Sequence, residues 1–344
     1  MINLYGLTLD KLEQLMVQEG QNKYRAKQLF TWIYEKSETD FEKMSDISKK
    51  FISVLKEKYC LIKPTIFKRQ DSSDGTIKLL LEMEDSAKVE TVLMRYNYGL
   101  VACVSSQVGC NMGCKFCASG LLKRQRNLEA AEMVGEILVL NDLLKEENKK
   151  VSHVVVMGTG EPFDNYDNVI DFIRIINHQK ALAIGARHIT VSTCGIPDKI
   201  LRYSQEGLQI NLAISLHAPN DELRNKLMPI NHAYPLKDLM AAVKQYNINA
   251  DRRVTFEYIL LKDVNDSLKM ADELANLIKP VFAYVNLIPY NEVNENGFHR
   301  SNNIKAFMDR LMKKGVNATI RKEFGSDIDA ACGQLRAKSE GKII

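Results

Sequence analysis

Cys110, Cys114 and Cys117 stand in the run Cys110-Asn-Met-Gly-Cys114-Lys-Phe-Cys117, a Cys-x3-Cys-x2-Cys spacing. Single buried cysteines are common in cores, whereas three thiols at ligand spacing point to a metal or a cluster. Structural zinc takes four closed ligands, usually as two pairs. A fourth ligand here would have to come from elsewhere in the chain, with Cys103, His217 and Cys194 as candidates. An iron–sulfur cubane normally takes four thiolates, so three leave one iron open to chelate a small molecule. The three-thiolate set therefore favours a cluster that carries its own binding position.

Other residues gather at the ends of strand-like runs. Gly158-Thr159-Gly160-Glu161-Pro162 directly follows the apolar run Val151 to Met157. Glycines let a backbone approach a ligand closely, and a glutamate there can accept hydrogen bonds from an ammonium group. Read alone, the same segment is a turn leading into a helix that starts with proline. Ser192, Ser215-Leu216-His217 and Asn291 also fall at run ends. Singly, each is an ordinary loop residue; their common position gives them weight. Cys332 lies in the small, polar segment Gly325 to Leu335, where a thiol is either incidental or exposed and reactive. Glu90, between Val89 and Val92, reads as the polar face of a strand.

The elements around these residues follow from periodicity. Helical patterns start at Thr8, cover Lys23 to Lys36 and run from about Ser48 to Tyr59, with Pro64 as punctuation. Residues 76–83, 89–96 and 100–106 are β-rich, with Ser73-Asp74-Gly75 and Asp85-Ser86 as turns. From residue 100 onward strands alternate with helices, which means a parallel sheet covered by helices. The expected fold class is α/β: a partial (β/α)6-type barrel with a small N-terminal helical domain (1–64), a β extension (65–100) and the barrel proper (101–344). In such barrels the chemistry gathers at the C-terminal ends of the strands, where the residues above fall.

Composition sets outer bounds. The 344 residues are 45% hydrophobic and 26% charged, as in an ordinary globular enzyme. The net charge of +4 permits a nucleic-acid partner without demanding one. Seven cysteines, an odd number in a long chain, argue against a disulfide framework. No apolar run is long enough to span a bilayer, and the first twenty residues lack the basic start and apolar stretch of a signal peptide. The expectation is a cytoplasmic protein without a membrane association, in a compartment where thiols stay reduced.

The cysteine motif, with Phe116 before its last cysteine, resembles the signature of radical S-adenosylmethionine (SAM) enzymes. Gly158–Pro162 is similar to that superfamily's GGEP motif. The resemblance implies one [4Fe–4S] cluster on Cys110, Cys114 and Cys117, and a SAM site formed by Gly160, Glu161, Ser192, Ser215, Leu216, His217 and Asn291. Val89-Glu90-Thr91-Val92, Cys103-Val-Ser-Ser-Gln107, Lys226-Leu-Met-Pro-Ile-Asn231 and Gly325-Ser-Asp-Ile-Asp329 narrow the likeness further. Over essentially the whole chain they resemble the RlmN/Cfr family of RNA adenosine methyltransferases.

That family implies a two-stage reaction. Cys332 takes a methyl group from one SAM by displacement. A second SAM, cleaved at the cluster, gives an adenosyl radical that removes hydrogen from the S-methyl group, and the methylene radical adds to the adenine ring. Glu90 removes the ring proton, and Cys103 releases the product by a transient disulfide with Cys332. Pro162 resembles the C2-methylating group, where the C8 group more often has a small residue. The implied substrates are adenosines of 23S rRNA in the peptidyl-transferase region and of tRNA just 3′ of the anticodon, with C8 methylation as the alternative. An electron donor such as flavodoxin and a monomeric state complete the expectation. Lys23, Arg25, Lys27, Lys123, Arg124, Arg126, Arg321 and Lys322 are the basic candidates for RNA contact, and Trp32 reads as core.

Overall fold

The computed structural model describes residues 1–293 and 296–329, together with Leu335 and Gly341. Three helices lead: α1 (Leu9–Gln18), α2 (Tyr24–Phe30) and α3 (Lys49–Lys58). Thr8 caps α1 by accepting from the Lys11 amide, and Ser48 caps α3 by accepting from the Phe51 amide. The pattern from Lys23 to Lys36 is met by α2 and a π-helical turn at Thr31–Glu35.

Next come four antiparallel strands: β1 (Thr65–Asp71), β2 (Ile77–Glu82), β3 (Lys88–Tyr96) and β4 (Gly99–Val104). Then β4 pairs in parallel with β5 (His153–Val156), and the parallel ladder continues through β6 (Ile189–Thr193), β7 (Asn211–Ser215), β8 (Val254–Leu260), β9 (Ala283–Pro289) and β10 (Ala318–Ile320). All ten form one sheet in unbroken order, with β1 and β10 at its edges. The crossovers are α4 (Ala130–Leu143), α5 (Tyr166–Asn177), α6 (Pro197–Tyr203), α7 (Asp221–Leu227) with α8 (Leu236–Ala250), α9 (Leu268–Ile278) and α10 (Ile304–Lys313). Six strand–helix units followed by a last strand make the expected (β/α)6-type barrel. Residues of β2 and of β9 line the same cavity, so the sheet wraps round on itself.

Strand β1 was not among the β-rich runs legible in the sequence. Five of its first residues in succession, Thr65 to Arg69, are exposed, so no apolar alternation marks it. It pairs on one side only, as an edge strand.

The N-terminal helices share one continuous apolar core with the barrel, in which Leu12, Phe30 and Leu55 join Ile137 and Phe172. Helix α4 explains how. It is apolar nearly all round because it lies between the sheet and the N-terminal segment. A Cβ at Gly6 would stand 2.9 Å from the Ala131 amide nitrogen, and one at Gly135 would stand 2.4 Å from Pro64 Cδ. Among the described residues no helix is long and apolar enough to cross a membrane.

The chain after β10 bridges the open side of the barrel. Phe324 packs on Tyr96 with ring centroids 4.4 Å apart. Beyond it, Gly325 N–H donates to Asp74 Oδ2 (2.8 Å), and the Asp327 carboxylate accepts from the Ser73 amide (2.9 Å) and the Ser72 hydroxyl. Gln70 Nε2 donates to Asp329 Oδ2 at 2.9 Å. The β1–β2 hairpin thus clasps the polar segment that leads to Cys332, which itself lies outside the described residues.

Candidate active site

A cavity of about 330 Å³ opens at the C-terminal ends of the strands. Cys110, Cys114 and Cys117 lie on its wall, with Cys103, Gly160, Glu161, Ser192, Ser215, His217 and Asn291. Residues spread over nearly two hundred positions are thereby brought to one place.

The cysteine loop is fixed by its backbone. Cys110 N–H donates to Leu122 O (2.9 Å), Lys115 N–H to Leu227 O (2.9 Å) and Cys117 N–H to Cys114 O (3.2 Å). Gly109 has φ +82°, and a Cβ there would stand 2.2 Å from Lys123 O, so this turn requires glycine. Burial pushes the Cys110 thiol up to about 12 and raises Cys114 as well. Left alone, such thiols hold their protons. A cationic metal reverses the balance, because coordination is to the thiolate and releases the proton. Among the described residues no three His, Cys, Asp or Glu side chains close on a single metal ion. Three sulfur donors instead face one cavity, a donor set suited to a cluster several ångströms across.

The Gly158–Pro162 turn has a different basis from the one its glycines suggest. A Cβ at Gly158 would stand 2.7 Å from Val104 O, and one at Gly160 (φ +116°) would stand 2.8 Å from the Gln107 amide nitrogen. Both glycines are required by close packing of this turn on the end of β4 and the chain just after it. Glu161 is buried, and its carboxylate accepts from Phe163 N–H (2.9 Å), Thr193 Oγ1 (2.6 Å) and Cys194 N–H (2.7 Å). It caps the turn at Pro162–Asn165 and ties it to the end of β6. Burial raises its pKa against these hydrogen bonds.

His217 follows β7 with φ +57°, a left-handed backbone that costs strain in a residue with a side chain. The strain is held in place by Asn265 Nδ2, which donates to its carbonyl at 2.9 Å. His217 Nδ1 accepts from the Ile259 amide at 3.0 Å, so the ring proton sits on Nε2. Burial, reinforced by Arg224, holds its pKa down at about 3. At neutral pH the ring is an uncharged donor, packed edge-on against Phe116 at 4.7 Å.

Leu216 differs from its two neighbours in the motif. Its side chain is fully buried in the main core and does not reach the cavity wall. Its backbone carries polar links instead: its N–H donates to Glu257 O at 3.0 Å, and its carbonyl accepts from Arg224 Nε at 3.3 Å.

Three further residues are prominent, of which the sequence had singled out only Cys194, as a possible fourth zinc ligand. Arg224 is fully buried and also donates to Cys194 O and Asn231 Oδ1, bracing the floor beneath the cysteine loop. Cys194 Sγ stands 3.6 Å from Met112 Sδ on the cavity wall. Lys78, also on the wall, is 0% exposed and pairs with Glu90 at 3.1 Å. Lys78 did carry a signal, being the one charged residue inside the apolar run Ile77 to Leu81.

Of the basic candidates, Arg124 pairs with Asp164, Arg126 with Asp85 and Glu132, and Arg25 with the Asp46 carbonyl and Gln28. Lys23, Lys27, Lys123 and Lys322 are exposed, and Arg321 and Lys322 line the cavity. Trp32 packs partly buried against the core, with Lys36 Nζ 3.3 Å from its ring centroid.

A β/α barrel with three thiols at the C-terminal mouth of its strands defines the class of radical SAM enzymes. The family model of the radical SAM superfamily matches residues 104–275, and the ribosomal RNA large subunit methyltransferase N-terminal domain matches residues 2–61. Over its full length the chain is 52% identical to a probable dual-specificity RNA methyltransferase RlmN of Spiroplasma citri, covering 99% of that protein. It is 50% identical to one of Streptococcus pyogenes serotype M2, with 99% of this chain and 97% of that one aligned. The crystal structure of a radical SAM methyltransferase from Sphaerobacter thermophilus superposes with a TM-score of 0.91 at 41% identity, covering 97% of this chain and 99% of that one. The chain belongs to the RlmN family of radical SAM RNA methyltransferases. With that membership come its cofactors, a [4Fe–4S] cluster and SAM.

Proposed function

We propose that the protein methylates C2 of adenosine in 23S rRNA, in the peptidyl-transferase region, and in tRNA at the adenosine 3′ of the anticodon, through an S-methyl group on Cys332. The observation that carries this reading is the meeting of three elements at one cavity: the cysteine loop, Cys103 on β4, and the clasped segment that leads to Cys332. Asp329 is anchored three residues before Cys332, a separation that even a fully extended chain covers in about 11 Å.

Bound together, the cluster and SAM supply a methyl donor and a hydrogen-abstracting adenosyl radical. Cys110, Cys114 and Cys117 hold the cluster. Gly160, Glu161, Ser192, Ser215, His217 and Asn291, with the backbone of Leu216, surround SAM. His217 serves there as a neutral donor through Nε2–H. Cys332 carries the methyl group, because an sp² ring carbon is too poor a nucleophile to take it from SAM by displacement. Glu90 takes the ring proton once the carbon–carbon bond exists, and the unpaired electron that the addition leaves on the ring returns to the one-electron carrier, which restores the aromatic ring. Cys103 then attacks the Cys332 sulfur. The sulfur–carbon bond breaks, its electron pair passes to the methylene carbon, and that carbon takes a proton to become the methyl group. A Cys103–Cys332 disulfide remains, to be reduced before the next cycle.

The target adenosine has to leave its stack to enter the cavity, so RNA is held mainly through shape and backbone. Residues 1–64 act as an accessory RNA-binding domain, 65–100 as the β extension that clasps the catalytic loop, and the remainder as the barrel. The exposed Lys23, Lys27, Lys123 and Lys322 are the basic residues left to meet phosphates, Lys322 at the cavity itself. The protein works as a cytoplasmic monomer with a one-electron donor such as flavodoxin.

The test is nucleoside mass spectrometry of rRNA and tRNA after anaerobic incubation with reconstituted enzyme, SAM and reductant. The expected product is 2-methyladenosine in both RNAs. 8-Methyladenosine would move the position to the family's other branch, and unmodified RNA from an enzyme that cleaves SAM would refute an adenosine substrate.

A further inference from the structure

We infer that Lys78 is a positioning residue for the adenosine chemistry: its ammonium group joins the clasped loop before Cys332 to Glu90, so that the base is aligned when the loop is seated. The inference rests on the reading of Glu90 as base and Cys332 as methyl carrier.

The placement follows from strand register. Val92 on β3 stands opposite Lys78 on β2 and opposite Cys103 on β4, so all three share the face turned to the cavity. Leu80 pairs with Glu90, which puts Lys78 and Glu90 in diagonal contact on that face. Lys78 Nζ lies 3.1 Å from Glu90 Oε2, with the two side chains 0% and 4% exposed. The same ammonium donates to the carbonyl of Asp329. One fully buried cation thus touches both the assigned base and the segment that carries the assigned methyl acceptor.

A fold has little use for such a lysine. A buried ion pair gains scarcely more than it loses in desolvation, and an apolar side chain of similar volume fills the same space at equal or lower free energy. Leu80, fully buried on the same face of the strand, shows that an apolar residue suits this side of it. The loop has further anchors that do not involve the lysine, from Ser72, Ser73 and Asp74 to Gly325 and Asp327. Removing the ammonium leaves those in place and takes from the Glu90 carboxylate the cation that stands 3.1 Å from it.

The experiment compares Lys78→Met, Lys78→Arg and Glu90→Gln with the parent holoenzyme in a single turnover on an unmodified transcript of large-subunit rRNA. Three quantities are read: cluster content with S-methylation of the protein, released methyladenosine, and RNA held covalently on a denaturing gel. Lys78→Met is expected to load its cluster and S-methyl group as the parent does. Its product release falls about tenfold to a hundredfold, within the range of a misplaced general base, and RNA accumulates on the protein. Lys78→Arg restores most of the release. Parental release by Lys78→Met overturns the inference, and so does a loss of cluster and S-methylation in step with release, which marks a structural lysine. If Glu90→Gln itself releases product normally, the base assignment falls and takes this inference with it. If Glu90→Gln traps RNA while Lys78→Met does not, only the role of Lys78 is lost.

Discussion

Cys332→Ala is expected to abolish RNA methylation and to leave the protein without an S-methyl group, while cluster assembly and SAM cleavage persist. The reason is chemical. The carbon to be methylated is not nucleophilic enough to displace a methyl group from a sulfonium, so the group has to be parked first on an atom that is. A thiolate is such an atom. Once the carrier is gone no weaker route to the same bond remains, and the loss is on the order of 10⁴-fold or more, as for other covalent nucleophiles. The segment before it is held by backbone and carboxylate bonds to the β1–β2 hairpin that do not involve the thiol, so the substitution leaves the clasp intact. Protein mass, iron content and methyladenosine yield check this together. Methylated RNA from the alanine variant would sink the carrier role.

Cys103→Ala has the opposite appearance, with product made but not let go. Cys103 lies buried on β4 in a small apolar group with Met94, Val101 and Phe324, on the same face as Val92 and Lys78. Alanine keeps that wall apolar and removes only the sulfur that would attack Cys332. The thioether between Cys332 and the adenine carbon then has no partner to break it. A ribonuclease-sensitive protein–RNA band is expected on denaturing gels at close to one RNA per active protein, with multiple turnover absent. Released product at the parental rate, or no covalent species under turnover conditions, would contradict the assignment.

Much of this site was legible in the sequence because its chemistry is local. The cysteine spacing gave the donor set, and the alternation of strands and helices gave the barrel and the edge at which Ser192, Ser215 and His217 appear. The glycines of Gly158–Pro162 were visible, but their cause was not. They are required by the end of β4 and the chain just after it, some fifty residues earlier, and no local pattern records that contact. Leu216 shares a motif with Ser215 and His217, yet strand alternation turns its side chain into the core, leaving only its backbone for a site role. Strand β1 escaped because an exposed edge strand has no alternation to read. The clasp between Asp74 and Gly325, about 250 positions apart, and the Lys78–Glu90 pair depend on register between strands, which a single sequence does not state.

The most direct test of the methyl-carrier account uses SAM whose methyl group carries three deuterium atoms, with reconstituted enzyme and unmodified RNA. If the group passes through Cys332 and loses one hydrogen before joining the ring, the 2-methyladenosine contains two deuterium atoms, and the released 5′-deoxyadenosine contains one. A base carrying all three deuterium atoms would mean that the methyl group moved intact from SAM, and the assigned roles of Cys332, Cys103 and Glu90 would fall together.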